Sequence, residues 1–204
     1  MESAKCGFVS ESAETEQQAP KGERNMGHLY FVRHGQSRWN VENKICGATD
    51  IELTPEGHRQ AIETGEKILE EGIQFDEILC SPLKRAHDTA LHISEMTKIP
   101  CRVEERLIEQ NFGRYEGRAR NDAEFQKAKS CFTDSYQGGE SMMKMAQRIY
   151  NLLDDLREES GEKTYLLVAH NGIARVVKSY FEDMTNEAYA AFGIDNCEIL
   201  RFDF

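Results

Sequence analysis

The chain has 204 residues, with 25 Lys and Arg against 36 Asp and Glu, so its formal net charge is −11. Apolar residues make up 39% and charged residues 30%, a composition typical of one globular domain with or without a tail. No apolar run approaches the ~18 residues of a membrane helix. The negative field also opposes non-specific binding to nucleic acid or to an anionic membrane. We therefore expect neither a membrane nor nucleic acid as a partner.

The first 26 residues differ from the rest of the chain. They lack hydrophobic periodicity and hold one aromatic residue, Phe8, so they bury too little apolar surface to offset the entropy of ordering. We predict a flexible tail over residues 1–26 and one domain over residues 27–204. The tail has neither the apolar segment of a signal peptide nor the Arg-rich composition of a transit peptide. The six cysteines form no C-x-x-C pair, and Cys80 ends an apolar run, which predicts a reduced cytoplasmic protein.

Strands and helices alternate after the tail. Short runs of β-forming apolar residues predict strands at 29–32, 76–80, 102–104 and 164–169. Apolar residues at helical spacing predict helices from the Thr54–Pro55 cap to Gly72, from Ser81–Pro82 to Thr97, and at 121–130, 141–156 and 172–181. Residues 33–53 are predicted to be mostly loop, with room for one short helix. Residues 198–204 alternate apolar and charged side chains, which predicts an edge strand or one buried on a single face.

This alternation predicts an α/β fold, a three-layer sandwich whose central sheet is mostly parallel and has helices on both faces. Such sheets bind ligands beyond the carboxyl ends of their strands. Arg33 and His34 follow the first predicted strand, Arg85 lies shortly after the second, and His170 follows the strand at 164–169. Two imidazoles and two guanidiniums are therefore expected at one rim of the sheet.

Those four side chains suit the transfer of a phosphoryl group, which needs positive charge around three oxygens and an in-line nucleophile. Each arginine can bind phosphate through two N–H groups. A neutral His34 can be the nucleophile if an acceptor such as the Gly35 carbonyl holds its other ring nitrogen. His170 would donate to the phosphoryl group, and the Asn40 amide could add a neutral donor.

The same residues belong to longer motifs that resemble the histidine phosphatase superfamily, which includes the cofactor-dependent phosphoglycerate mutases. The matching segments are RHGQSRWN at 33–40, SPLKRA at 81–86, LIEQNFGRYEG at 107–117, GGES at 138–141 and HNG at 170–172. The resemblance covers residues 28–204 and implies a phosphoglycerate mutase-like fold. It also implies catalysis through a phosphohistidine intermediate, without a metal or any other cofactor.

The resemblance also implies individual roles. The catalytic residues would be His34, Glu109, His170, Arg33 and Arg85. Substrate binding would involve Arg33, Asn40, Cys46, Gly47, Arg85 and Asn171. Glu109 would protonate the leaving oxygen, whereas the alternative for it is an ion pair with Arg85 or Arg106. Glu116 is interpreted as structural.

Residues 118–137 separate the Glu109 motif from GGES and are interpreted as a short cap over the substrate. Their basic residues are balanced by acidic ones: Arg118, Arg120, Lys127 and Lys129 against Asp122, Glu124 and Asp134. The family's mutases resemble one another in a longer, more basic insertion here. We therefore predict a metal-independent phosphomonoesterase that acts on a small phosphorylated metabolite. The alternatives are a phosphoglycerate mutase-type isomerase and a catalytically silent protein that binds phosphate for regulation.

Overall fold

The structure, a computed structural model, describes residues 27–204, so the predicted tail at 1–26 lies outside the described residues. Its sheet contains β1 (His28–Arg33), β2 (Glu77–Cys80), β3 (Cys101–Val103), β4 (Tyr165–Ala169) and β5 (Ile199–Asp203). The order is β3-β2-β4-β1-β5, in which the first three pairings are parallel and β5 pairs antiparallel to β1 at the edge. The mostly parallel sheet and the terminal edge strand are confirmed.

Helices cover both faces of the sheet. The described part of the chain forms α1 (Arg38–Val41), α2 (Pro55–Glu70), α3 (Lys84–Thr97), α4 (Ala123–Ala128), α5 (Met142–Glu159), α6 (Asn171–Phe181) and α7 (Asn186–Ala191). Helices α2 and α3 pack over one face of the sheet, and α5 and α6 pack over the other. Each pair of helices shares one buried apolar cluster with the sheet. The three-layer prediction is confirmed. None of the helices in residues 27–204 has the length and apolar character needed to cross a membrane.

The helix starts show which local signals were interpreted correctly. Thr54 caps α2 by accepting the N–H of Gly57, as predicted. The prediction that Ser81 caps α3 is wrong, because this helix begins at Lys84 with Leu83 as its N-cap residue. The Ser81 hydroxyl instead forms a hydrogen bond with the side chain of His170, at the rim of the sheet. The short helix α1 lies in the segment at 33–53 where one short helix was allowed for, whereas α7 was not predicted.

The loop after β1 lies against α2 through a contact that only glycine permits. A Cβ on Gly57 would lie 2.1 Å from the Gln36 carbonyl oxygen, and one on Gly35 would lie 2.4 Å from the Gly57 carbonyl oxygen. The Thr54 N–H also donates to the Gln36 carbonyl at 2.9 Å. The start of α2 therefore fixes the backbone that immediately follows His34.

We expect Gly57→Ala to lower the free energy of unfolding by ~1–3 kcal/mol, because its Cβ would push two backbone segments apart. Gly161→Ala is the matched control, since a Cβ at Gly161 meets no atom within 4 Å. Urea denaturation of both variants measures the difference. Equal free energies of unfolding would contradict the close contact between α2 and the loop after β1.

Candidate active site

His34 follows β1 and is held by backbone hydrogen bonds on both sides. Its N–H donates to the Ala169 carbonyl at 2.9 Å, and its own carbonyl accepts from Asn196 Nδ2 at 2.7 Å. The ring Nδ1 lies 2.7 Å from the Gly35 carbonyl oxygen. Because a carbonyl can only accept, Nδ1 carries the ring proton and Nε2 keeps a free lone pair. The expected carbonyl partner is therefore confirmed as that of Gly35.

His170 follows β4 and is the N-cap residue of α6. Its Nε2 lies 2.7 Å from Ser81 Oγ, which also accepts the N–H of Leu83 at 3.3 Å. From this network we assign the Ser81 hydroxyl as the donor to Nε2, which leaves the ring proton of His170 on Nδ1. The ring centroids of His34 and His170 are 5.1 Å apart, and both side chains are buried. The predicted convergence of the two imidazoles is observed.

Both arginines are held by backbone carbonyls. Arg33 donates through Nη1 to the Ile194 carbonyl at 2.5 Å. Arg85 is fully buried and donates to the carbonyls of Thr49 (2.9 Å) and Gly47 (2.7 Å). Neither guanidinium forms a salt bridge with a carboxylate of residues 27–204, so no acidic partner compensates their positive charge beside the imidazoles.

Burial and this positive charge both disfavour protonation of the imidazoles. Burial, followed by the charge of Arg85, lowers the pKa of both His34 and His170 well below the usual 6.5. Burial, followed by the charge of Arg120, also lowers the pKa of Arg33 to about 10. At neutral pH the arginines are therefore cationic and the imidazoles neutral, which is the form that a histidine nucleophile requires.

Three buried side-chain nitrogens in residues 27–204 have no hydrogen-bond partner. They are Arg33 Nε, Arg85 Nε and His170 Nδ1. All three belong to the four side chains expected at the rim of the sheet, and with the assigned tautomer all three are donors. An oxyanion with several acceptor oxygens is the type of ligand that would satisfy such a group.

Glu109 lies at the same rim and is 5% exposed. Its carboxylate accepts the N–H of Gln110 at 2.9 Å and the N–H of Gly172, in the first turn of α6, at 2.9 Å. The alternative ion pairs are not formed, because Arg85 bonds to backbone carbonyls and Arg106 pairs with Glu104 and Asp155. Glu109 is therefore a carboxyl group without a cationic partner in the described part of the chain.

An open cavity of ≈ 370 Å³ lies at this rim, a volume suited to a small metabolite. Four of the predicted site residues line it: Arg33, Cys46, Glu109 and Asn171. Three others do not line it and are buried: His34, Arg85 and His170. Burial raises the pKa of the Cys46 thiol, and Asn171 Oδ1 accepts the N–H of Ile194 at 3.0 Å.

Two residues predicted to bind substrate have other partners here. The Asn40 side-chain oxygen accepts the N–H of Ser37 at 2.9 Å, and Asn40 does not line the cavity. The Gly47 N–H donates to Glu116 at 3.0 Å and its carbonyl accepts from Arg85. Gly47 therefore shapes the loop that holds Arg85, and Glu116 is structural, as interpreted from the sequence.

The structure adds residues that the sequence analysis did not include among the site residues. Ser81 binds His170, although its sequence context pointed to a helix cap. Arg120, Lys129, Arg175 and Asp195 line the cavity. The position of Arg175 five residues after His170, and so just over one turn into α6, was the one local signal available for it.

The fold and this rim define a class of protein, an α/β sandwich that places two histidines and two arginines together at one rim of its sheet. The family model described as histidine phosphatase superfamily (branch 1) matches residues 29–204. The chain belongs to this superfamily, as its motifs suggested.

The relatives include both mutases and phosphatases. The 2,3-bisphosphoglycerate-dependent phosphoglycerate mutase of Bartonella tribocorum is 31% identical over 78% of this chain and 83% of that protein. Phosphoserine phosphatase 1 of Hydrogenobacter thermophilus is 28% identical over 84% of this chain and 83% of that protein. The structure of a mycobacterial glucosyl-3-phosphoglycerate phosphatase superposes with a TM-score of 0.75 at 27% identity, covering 87% of this chain and 90% of that one.

The buried neutral histidines make stability depend on pH. Below the unfolded-state pKa of ~6.5 the unfolded chain binds protons that the folded imidazoles do not. The free energy of unfolding therefore decreases as the pH is lowered through this range. Each histidine contributes up to ~1.4 kcal/mol per pH unit in this range. Urea denaturation between about pH 7.5 and 5 should therefore show a shallower pH dependence for His34→Gln and His170→Gln than for the wild type. An unchanged slope in both variants would contradict the neutral buried imidazoles.

Proposed function

We propose that this protein is a phosphomonoesterase that hydrolyses a small phosphorylated metabolite through a phosphohistidine on His34. One observation carries the proposal: the rim combines a free Nε2 lone pair on His34 with unpartnered donors on Arg33, Arg85 and His170. A nucleophile and donors for phosphate oxygens are thereby brought together. The phosphatases among the relatives support the same reaction.

In the first step the substrate phosphate enters from the cavity past Arg33 and Glu109. Nε2 of His34 attacks phosphorus, the ester P–O bond breaks, and Glu109 gives its proton to the leaving oxygen. The negative charge of the substrate favours the protonated carboxyl that this step needs. The two guanidiniums and His170 Nδ1–H stabilise the charge that develops on the phosphoryl oxygens.

In the second step water replaces the alcohol. Glu109, now a carboxylate, accepts a proton from the water as its oxygen attacks phosphorus, and the P–N bond breaks. Inorganic phosphate leaves, and the neutral His34 is restored. The side chains named here supply all the charge and proton transfers, and we propose that the reaction needs no metal ion.

The shape of the cap favours transfer of the phosphoryl group to water over its transfer back to the organic substrate, as a mutase would do. Residues 118–137 contribute the single short helix α4, and the exposed residues Arg120, Gln126 and Asp195 line the cavity. Water therefore has access to the phosphoryl group. We also propose a cytoplasmic location, supported by the free thiols of Cys80 and Cys101, which form a 3.5 Å hydrogen bond and no disulfide.

We expect the wild type to hydrolyse p-nitrophenyl phosphate in the presence of EDTA, and His34→Ala to lose at least about 10³-fold in kcat. The matched control is His87→Ala, which changes a partly exposed histidine outside the cavity. Acid quenching followed by mass spectrometry should place a phosphoryl group on the His34 peptide. EDTA-sensitive activity would contradict metal independence, and an inactive wild type would favour the silent alternative. Conversion of 3-phosphoglycerate to 2-phosphoglycerate, with 2,3-bisphosphoglycerate added, would favour the mutase.

The acid role of Glu109 predicts a dependence on the leaving group. Glu109→Gln should reduce kcat for an alkyl phosphate such as glycerol 3-phosphate by ~10²–10⁴, because an alkoxide cannot leave without a proton. The loss should be much smaller for p-nitrophenyl phosphate, whose leaving group is already a stable anion. Equal losses on the two substrates would show that Glu109 does not act as the acid.

A further inference from the structure

The cavity wall carries three cationic side chains that the proposed reaction does not use. Arg120 precedes α4, Lys129 follows it, and Arg175 projects from α6. We refer to these three residues as the outer cations. They come from two separate parts of the chain, so their shared position on one cavity is a property of the fold.

None of the outer cations pairs with a carboxylate of residues 27–204. Arg120 Nε donates to the Lys44 carbonyl at 3.1 Å, and Arg175 Nε donates to the Phe192 carbonyl at 2.6 Å. Lys129 Nζ lies 5.6 Å from the centroid of the Phe125 ring. These contacts hold the side chains in place and leave their charges uncompensated.

Other arginines of the cap region behave differently. Arg118 forms salt bridges with Asp122 at 2.7 Å and with Glu124 at 3.1 Å. Arg114 also pairs with Glu124. The acidic residues that balance the composition of the cap thus do not neutralise its cavity side, because Asp122 and Glu124 pair with arginines that do not line the cavity.

The outer cations repel one another and the inner arginine. Burial, followed by the charge of Arg175, lowers the pKa of Lys129. After burial, the charge of Arg120 also contributes to the lowered pKa of Arg33, and it adds a smaller lowering of the pKa of Lys129. The cavity wall holds just two carboxylates, those of Glu109 and Asp195. A chain of net charge −11 has many acidic residues, yet it leaves this cluster with an excess of positive charge. An anion bound among these cations would relieve the repulsion.

We propose that Arg120, Lys129 and Arg175 form a second anion subsite, and that the substrate carries a carboxylate or a second phosphate beyond the phosphate that reacts. The inference rests on the proposed phosphatase function and names its substrate class. Apolar groups of Ile45, Phe112 and Phe125 line the same cavity and would face the carbon skeleton between the two anions. The ≈ 370 Å³ volume limits that skeleton to the size of a small metabolite.

The test compares substrates that differ only in the second charge. 3-Phosphoglycerate and glycerol 3-phosphate share a three-carbon chain and differ by a carboxylate against a hydroxymethyl group. Glucose 1,6-bisphosphate and glucose 6-phosphate form the corresponding pair for a second phosphate. We expect kcat/KM, measured by phosphate release, to be about tenfold or more higher for the doubly anionic member of at least one pair. The pair that shows the larger ratio identifies the second anion.

Substitutions of the outer cations then locate the subsite. Lys129→Met and Arg120→Met should each reduce the kcat/KM ratio of the responding pair by about tenfold, the loss expected for one charge-assisted hydrogen bond. Lys127→Met is the matched control, because Lys127 is an exposed residue of α4 outside the cavity. Thermal unfolding separates binding from structure. Since the outer cations repel one another, removing one should not lower Tm.

Ratios near one for both pairs would overturn the inference while leaving the phosphatase proposal intact, provided that p-nitrophenyl phosphate is still hydrolysed. A high ratio that neither Lys129→Met nor Arg120→Met reduces would also overturn it. Failure of the wild type to hydrolyse any of these esters would instead overturn the proposed function, and the subsite with it.

Discussion

The architecture of the site depends on burying the charge of Arg85 without a carboxylate partner. Two backbone carbonyls, those of Gly47 and Thr49, are the acceptors that hold this guanidinium. Burying an ion in this way is costly, because carbonyl dipoles replace only part of its hydration. The benefit is that its charge adds to the larger effect of burial, and together they lower the pKa of His34 and His170 and keep both imidazoles neutral. A carboxylate partner would have cancelled that effect and reduced the attraction for a phosphate dianion.

Glu116 supports Arg85 indirectly. Its carboxylate accepts the N–H groups of Gly47 and Ala48 and the hydroxyl of Thr49. The peptide N–H groups of this loop thus point towards the Glu116 carboxylate, and its carbonyls point towards the Arg85 guanidinium. Glu116 can stabilise the loop while its negative charge stays on the far side from Arg85. Glu116 therefore stabilises the loop that holds Arg85, whereas Glu109, seven residues earlier, lines the cavity.

The sequence predicted the inner site better than the outer one for a physical reason. Parallel strands bring their carboxyl ends to one edge, so the residues after β1, β2 and β4 had to meet. No such rule covers Asn40, whose amide is used by Ser37, or the cap, where salt-bridge pairing decides which cations remain free. The short helix α7 was missed, although Thr185 caps it by accepting the N–H of Ala188.

The cap and the sheet are stabilised by different interactions, which separates specificity from chemistry. Ile45, Tyr115, Phe125 and Tyr136 form an apolar cluster of their own beneath α4, apart from the two clusters that pack on the sheet. Substitutions on the cavity side of the cap can therefore alter the outer cations with little effect on the packing that holds the imidazoles. In such a fold the reaction is set by the ends of the strands, whereas the choice of substrate is set by a few side chains on a short insertion. The excess positive charge of the cavity wall is therefore better explained by the substrate than by the stability of the fold.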